Sequence, residues 1–184
     1  MRIISGKFKG YKLESVKSDN TRPTLDRVRE ALFSSLMNYL ENAKVLDLFS
    51  GTGALGLESI SRGAKYAVLN DKAQESFKAI LTNVNNTKTN DLVKISKKEA
   101  EKCIKSLAAN NEKFDIIFID PPYLSDLGVK SIENISKYDI LDTEGIVVFE
   151  TDKNVKYPKE IANLEVVNIK KYGRVEISFW KRKG

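Results

Sequence analysis

Short apolar runs alternate with helical stretches from residue 44 onward, and this alternation limits the fold more than any other feature of the chain. Val45–Phe49 is a compact apolar strand, followed by a glycine-rich turn and a helix ending near Gly63. Tyr66–Leu69 is a second strand. Phe77, Ile80, Leu81 and Val84, spaced i, i+3, i+4, i+7, mark the next helix. Leu92–Ile95 precedes a helix that carries Ala100, Cys103, Ile104, Leu107 and Ala108 on one face, and Phe114–Ile119 is the most hydrophobic strand. A helix near 126–137, a strand Ile146–Phe149 and a closing pair, Glu165–Lys171 and Arg174–Lys181, complete the chain. Strands separated by crossover helices pair in parallel and need both sheet faces covered. The expected fold is therefore α/β, a doubly wound and mostly parallel sheet with an antiparallel C-terminal hairpin at one edge.

Before residue 44 the pattern differs. Residues 1–20 read as a small N-terminal β-hairpin extension turning at Ser5-Gly6, with Phe8, Tyr11 and Leu13 among lysines. Pro23 precedes a helix capped by Thr24 or Asp26, whose apolar positions Val28, Leu32, Leu36 and Leu40 recur every four residues with Phe33 alongside. This gives two regions, 1–20 and a main domain of 21–184.

Composition removes several chemistries. The 184 residues include no histidine and one cysteine, Cys103. Imidazole-based triads, histidine metal sites, cysteine-rich zinc clusters and disulfide frameworks are thereby excluded, and no metal site is expected. The net charge of +6 sits at the ends: residues 1–30 carry +4, residues 165–184 carry +4 and the body between them −2. Two basic ends on a near-neutral body suit a protein that grips a polyanion, although solvated termini give the same count. No run reaches the roughly 18 apolar residues of a membrane span, and Met1–Lys9 lacks the apolar core of a secretory signal. A cytoplasmic protein with Cys103 as a reduced core thiol is expected.

Ligands of doubly wound sheets sit at the carboxyl ends of the strands, where strand order reverses. Three strand ends here carry unusual residues. In Asp47-Leu-Phe-Ser-Gly-Thr-Gly-Ala-Leu-Gly56 the glycines allow a tight turn and close approach of a ligand to backbone N–H groups, though a plain strand–turn–helix gives the same spacing. Asp71, 20 residues beyond Gly51, can accept hydrogen bonds from ribose hydroxyls or cap the next helix. Asp120-Pro121-Pro122-Tyr123 fixes a carboxylate, an uncontested carbonyl and an aromatic ring on one rigid corner. Two acceptors and a ring face suit a planar amine stacked on the ring.

These residues carry a resemblance. Asp47–Gly56 resembles motif I of class I S-adenosylmethionine (SAM) methyltransferases, and Asp120–Tyr123 resembles their amine-methylating motif. The stretches Met1–Gly10, Thr21–Phe33 and Lys171–Phe179 extend the similarity, in order and over nearly the whole chain, to the bacterial 16S rRNA guanine-N2 methyltransferase family. The resemblance implies a Rossmann-like methyltransferase fold with SAM as cofactor. It places Gly51, Thr52 and Gly53 at the methionine part, beside Phe49 and Ser50, with Asp47 near the amino group. Asp71, followed by Lys72, would hold the ribose. Glu99 and the Ala100 backbone would meet the adenine, the family more often having Asp at this point. Arg22 and Thr24 would hold the cofactor carboxylate or an RNA phosphate, with linker charge and a helix cap as their alternative roles.

The implied reaction is methylation of a guanine N2 amine held by Asp120 and the Pro121 carbonyl, with the base unstacked against Tyr123. Arg2, Lys7, Lys9, Lys12 and Arg27 at one end, and Lys181 and Arg182 at the other, would clamp RNA phosphates. The implied partner is 16S rRNA in an assembling small ribosomal subunit, met by a monomeric enzyme. An N6-adenine methyltransferase shares the four-residue motif. A nicotinamide-dependent oxidoreductase would explain Gly51-x-Gly53-x-x-Gly56 and Asp71 but not Asp120–Tyr123. A non-catalytic RNA-binding module would need neither motif.

Overall fold

The computed structural model describes residues 1–16, 23–122 and 125–184. One eight-stranded sheet runs through it in the order β3-β2-β1-β4-β5-β8-β7-β6. The strands are β1 (Lys44–Asp47), β2 (Tyr66–Asn70), β3 (Val93–Ser96), β4 (Phe114–Ile119), β5 (Leu141–Asp152), β6 (Glu160–Ile161), β7 (Leu164–Tyr172) and β8 (Val175–Arg182). The first five are mutually parallel, while β8 pairs antiparallel with β5, β7 with β8 and β6 with β7. Strand order reverses between β1 and β4, as a doubly wound sheet requires.

Period-two alternation divides the central strands between two cores. Val45, Ile116, Phe118 and Val148 face α1 (Pro23–Ser35), α2 (Met37–Leu40), α3 (Ala54–Ser61) and α4 (Gln74–Thr87). Leu46, Ile117, Ile119 and Val147 face α5 (Ala100–Ala109) and α6 (Leu127–Tyr138), where Cys103 is buried and free. Both faces are covered, so strands apolar on both sides cost nothing in exposed surface.

The structure corrects several boundaries. Residues 1–13 fold back on themselves, but the single antiparallel bridge joins Arg2 to Lys12, and the return is made through residues 5–10 rather than at Ser5-Gly6 alone. The first helix starts at Pro23 itself, a position where a missing N–H costs nothing, so Asp26 lies within the first turn. The four-residue apolar repeat holds in burial but is carried by two helices broken at Leu36. β5 is longer than its apolar stretch, and β6 is an added two-residue edge strand.

The folded-back N-terminus packs onto the sheet's first helical layer. Ile3 and Leu13 join the core beside Val28 and Leu32. Glu58 of α3, fully buried, accepts the backbone N–H groups of Ile4 (2.8 Å) and Ser5 (3.0 Å) and pairs with Arg62 at 2.8 Å. Ser61 Oγ accepts from Phe8 N and donates to Ser5 O. At Gly6, φ is +83° and an added Cβ would lie 1.9 Å from the Ser61 carbonyl oxygen, so only glycine lets the backbone come this close. Glu58→Ala leaves two backbone donors and the Arg62 guanidinium without their partner, a change worth about 3 kcal/mol. We expect that loss in urea unfolding, together with faster tryptic cleavage within residues 1–16 of the folded protein.

Candidate functional site

The carboxyl ends of β1, β2, β4 and β5 open into a cleft of about 660 Å³, within the range of small-molecule sites. Its floor is built by the turn after β1. Ser50 N donates to Asn70 O and Ser50 Oγ to Asp47 O, which closes the turn. Gly51 follows with φ +55°, and an added Cβ would meet nothing within 4 Å, so its backbone faces open space. Gly53 takes φ +82° just before α3, where an added Cβ would lie 3.0 Å from Leu69 Cδ1. Gly56 is required for another reason: a Cβ there would lie 2.0 Å from Leu69 Cδ2, so this glycine lets α3 lie down on β2.

Asp47 is buried at the end of β1. Its Oδ2 accepts from Gly56 N at 3.2 Å, in the first turn of α3, while Oδ1 has no hydrogen-bond partner. Burial pushes its carboxyl up to about 7, against the lowering effect of the Gly56 N–H, and the nearby Asp120 and Asp71 charges add to the rise. A buried acceptor without a donor costs free energy, and one that lines a cleft is a place for a cationic or N–H-bearing ligand.

Asp71 braces the turn and the approach to α4. Its Oδ2 accepts from Gly51 N and its Oδ1 from Ala73 N ahead of α4, and the side chain lines the cleft with lone pairs remaining on both oxygens. Lys72 and Glu99 form an exposed ion pair at 3.6 Å across the cleft mouth, with Ala100 beside them. Phe49 and Thr52 line the floor. Asp120, Pro121 and Pro122 form the wall at the end of β4. Arg22, Tyr123 and the Thr24 side chain lie outside the described residues.

The basic residues separate into groups. Arg2 and Lys12 pair with each other next to Met1, which lines the cleft, and Arg27 is an exposed neighbour of the lining residues Asp26 and Val28. Lys7 and Lys9 lie in the return of the N-terminal segment, which is tied through Lys7 N to Ser61 O at the far end of α3. The structure does not bring Lys181 and Arg182 to the cleft. β8 runs antiparallel to β5, so its last residues lie at the end of the strands opposite the cleft, where Arg182 binds Asp139 and Leu141 O and Lys181 lies 4.0 Å from Glu144. Among the described residues no group of three His, Cys, Asp or Glu side chains is placed to hold a metal ion, and no helix is long and apolar enough to cross a membrane.

Three lining residues carry no motif. Asn70 is buried at the end of β2 and ties the strand ends together, donating to Leu48 O and Lys98 O and accepting from Lys98 N. Arg29 is buried in the cleft wall, donates to Arg2 O and pairs with Asp26 at 3.3 Å, with its Nε lacking a partner. Glu150 stands at the end of β5. A charged residue within or just after an apolar periodic stretch is the only signal that would have flagged the last two.

Residues 1–181 match the family described as "Conserved hypothetical protein 95". The chain is 35% identical, over the full length of both proteins, to the "Putative rRNA methyltransferase YlbH" of Bacillus subtilis (strain 168). It is 31% identical to the "Ribosomal RNA small subunit methyltransferase D" of Escherichia coli (strain K12), covering 99% of this chain and 90% of that one. The solved structure "Putative methyltransferase yhhF from Escherichia coli" superposes with a TM-score of 0.86 at 28% identity, covering 100% of this chain and 98% of that chain. The chain belongs to the ribosomal RNA small subunit methyltransferase D family of class I methyltransferases.

Proposed function

We propose that this protein uses SAM to methylate the exocyclic N2 amine of one guanine in 16S rRNA, acting as a monomer on an assembling small ribosomal subunit. The observation that carries the reading is the shared cleft: the Asp120-Pro-Pro corner faces the same space as the Asp47 carboxylate, the Gly51 backbone and Asp71.

The residues present fit the cofactor. Asp47 Oδ1, buried and without a donor, suits the ammonium of its amino-acid part. The open backbone at Gly51 allows close approach, and the spare lone pairs of Asp71 suit ribose hydroxyls. Glu99 and Ala100 border the region left for the adenine. When bound, SAM supplies an electrophilic methyl group on a positively charged sulfur.

The chain's own task is to make a poor nucleophile competent. The guanine N2 lone pair is delocalised into the ring. Asp120 and the Pro121 carbonyl accept its two N–H bonds, which holds the nitrogen in place and favours a pyramidal geometry with the lone pair free to attack. As the amine becomes an ammonium, the Asp120 carboxylate stabilises the charge and then receives the proton. Tyr123 supplies a stacking face for the unstacked base. Arg2, Lys12 and Arg27 hold flanking phosphates near the cleft mouth, with residues 1–20 as the RNA-contacting extension of the 21–184 domain.

The test offers labelled SAM with under-methylated small subunits, free 16S rRNA and duplex DNA, and identifies the modified nucleoside after digestion. We expect N2-methylguanosine from the ribosomal substrates alone; N6-methyladenine would overturn the substrate. Asp120→Ala should lower kcat by at least about 10³-fold, the scale of removing a group that stabilises developing charge. Its SAM affinity should stay within about threefold of wild type, because the cofactor-facing contacts are elsewhere. A parallel loss of SAM binding would contradict the role given to Asp120.

A further inference from the structure

A second cavity, of about 240 Å³, adjoins the cleft and shares Asp120, Pro121, Pro122 and Glu150 with it. Glu150 follows the register pair Ile119–Phe149, so it stands beside Asp120 on the neighbouring strand, about 4.8 Å away between backbones. On its other side the register partner is the buried, apolar Ile177 of β8. The next carboxylates along this edge are engaged: Asp152 with Arg174 and Asn154, and Glu176 with the Tyr157 hydroxyl. The Asp120 charge, together with burial, holds the Glu150 carboxyl well above the usual carboxylate range.

A protonated carboxyl offers one donor and one acceptor side by side. The contacts made by Asp120 and Pro121 read only an amine, which guanine and adenine both possess. What differs is the edge next to the amine. Beside N2, guanine presents an N1–H donor and then the O6 acceptor; adenine presents, beside N6, a bare N1 acceptor and then C2–H. Resting on the guanine-N2 reading above, we propose that Glu150 is a specificity-determining residue that recognises guanine. Its carbonyl oxygen accepts N1–H and its hydroxyl donates to O6, while Asp120 holds the amine. An adenine in the same place sets its bare N1 against the carbonyl oxygen and its C2–H against the hydroxyl. Exchanging the two oxygens pairs the hydroxyl with N1 but leaves the carbonyl oxygen against carbon, an unpaired acceptor of the kind that sites reject.

The experiment uses 16S rRNA carrying either guanosine or 2-aminopurine riboside at the methylated position, assembled into small subunits. 2-Aminopurine keeps the N2 amine but lacks the N1 hydrogen and O6. Wild-type protein should favour guanosine in kcat/KM by about 10- to 100-fold, the scale of a lost buried hydrogen bond. Glu150→Gln, whose amide offers the same donor and acceptor, should keep most of this preference, and Glu150→Ala should bring the ratio close to one. SAM affinity, measured by titration, should be unchanged in both variants, which also shows that they are folded. A Glu150→Ala ratio equal to wild type overturns the proposal, as does a Glu150→Gln ratio as low as that of Glu150→Ala. A wild-type enzyme that forms no N2-methylguanosine overturns the underlying reading and this assignment with it.

Discussion

Parallel pairing brings four carboxylates, Asp47, Asp71, Asp120 and Glu150, to one edge of the sheet, and the remainder of the site follows from how their mutual repulsion is managed. Asp71 accepts two backbone N–H groups, from Gly51 and Ala73. The Asp120 charge and burial together raise the Glu150 carboxyl well above the ordinary carboxylate range. Asp47 has one backbone N–H and one bare oxygen, and burial raises its carboxyl to about 7. Because that value lies above the ordinary carboxylate range, the folded protein holds a proton that the unfolded chain gives up. The stability linked to Asp47 is therefore fully present at acid pH and lost as pH rises to about 7. An edge with this excess of negative charge is suited to a ligand that brings a positive charge with it.

The geometry of that edge depends on close packing beneath it. Gly56 lets α3 rest on Leu69, which aims the first turn of α3 at Asp47. The same helix carries Glu58 and Ser61, which fasten the N-terminal segment by hydrogen bonds to its backbone. That segment returns to the cleft through Met1 and Leu13, whose N–H donates to Met1 O. One eight-residue helix thus positions a cleft-lining carboxylate at its start and the adjoining wall along its length.

Much of this was legible in the chain. The strand Phe114–Ile119 is placed to the residue, because five of its six residues are apolar and Lys113 and Asp120 bound it. The glycine spacing located the turn, and Asp47, Asp71 and Asp120 were legible because each sits at a strand end next to a backbone-restricting residue or at a fixed interval from one. Glu150, Asn70 and Arg29 were not, since each owes its position to neighbours distant in sequence. The break at Leu36 hides inside a helical repeat that stays in phase across it. For Lys181 and Arg182 the charge is legible, but only the antiparallel pairing of β8 with β5 reveals that they emerge at the end of the strands away from the cleft.

Asp47, raised by burial to about 7, gives up its proton to hold a cation in the cleft. Calorimetric titration of SAM between pH 6 and 8.5, in buffers of different ionisation enthalpy, reads that coupling. We expect proton release on binding below pH 7, with affinity rising by up to about tenfold per pH unit there and levelling above it. Asp47→Asn should bind SAM weakly and release no proton. Binding that is independent of pH, exchanges no proton and survives Asp47→Asn would contradict that coupling.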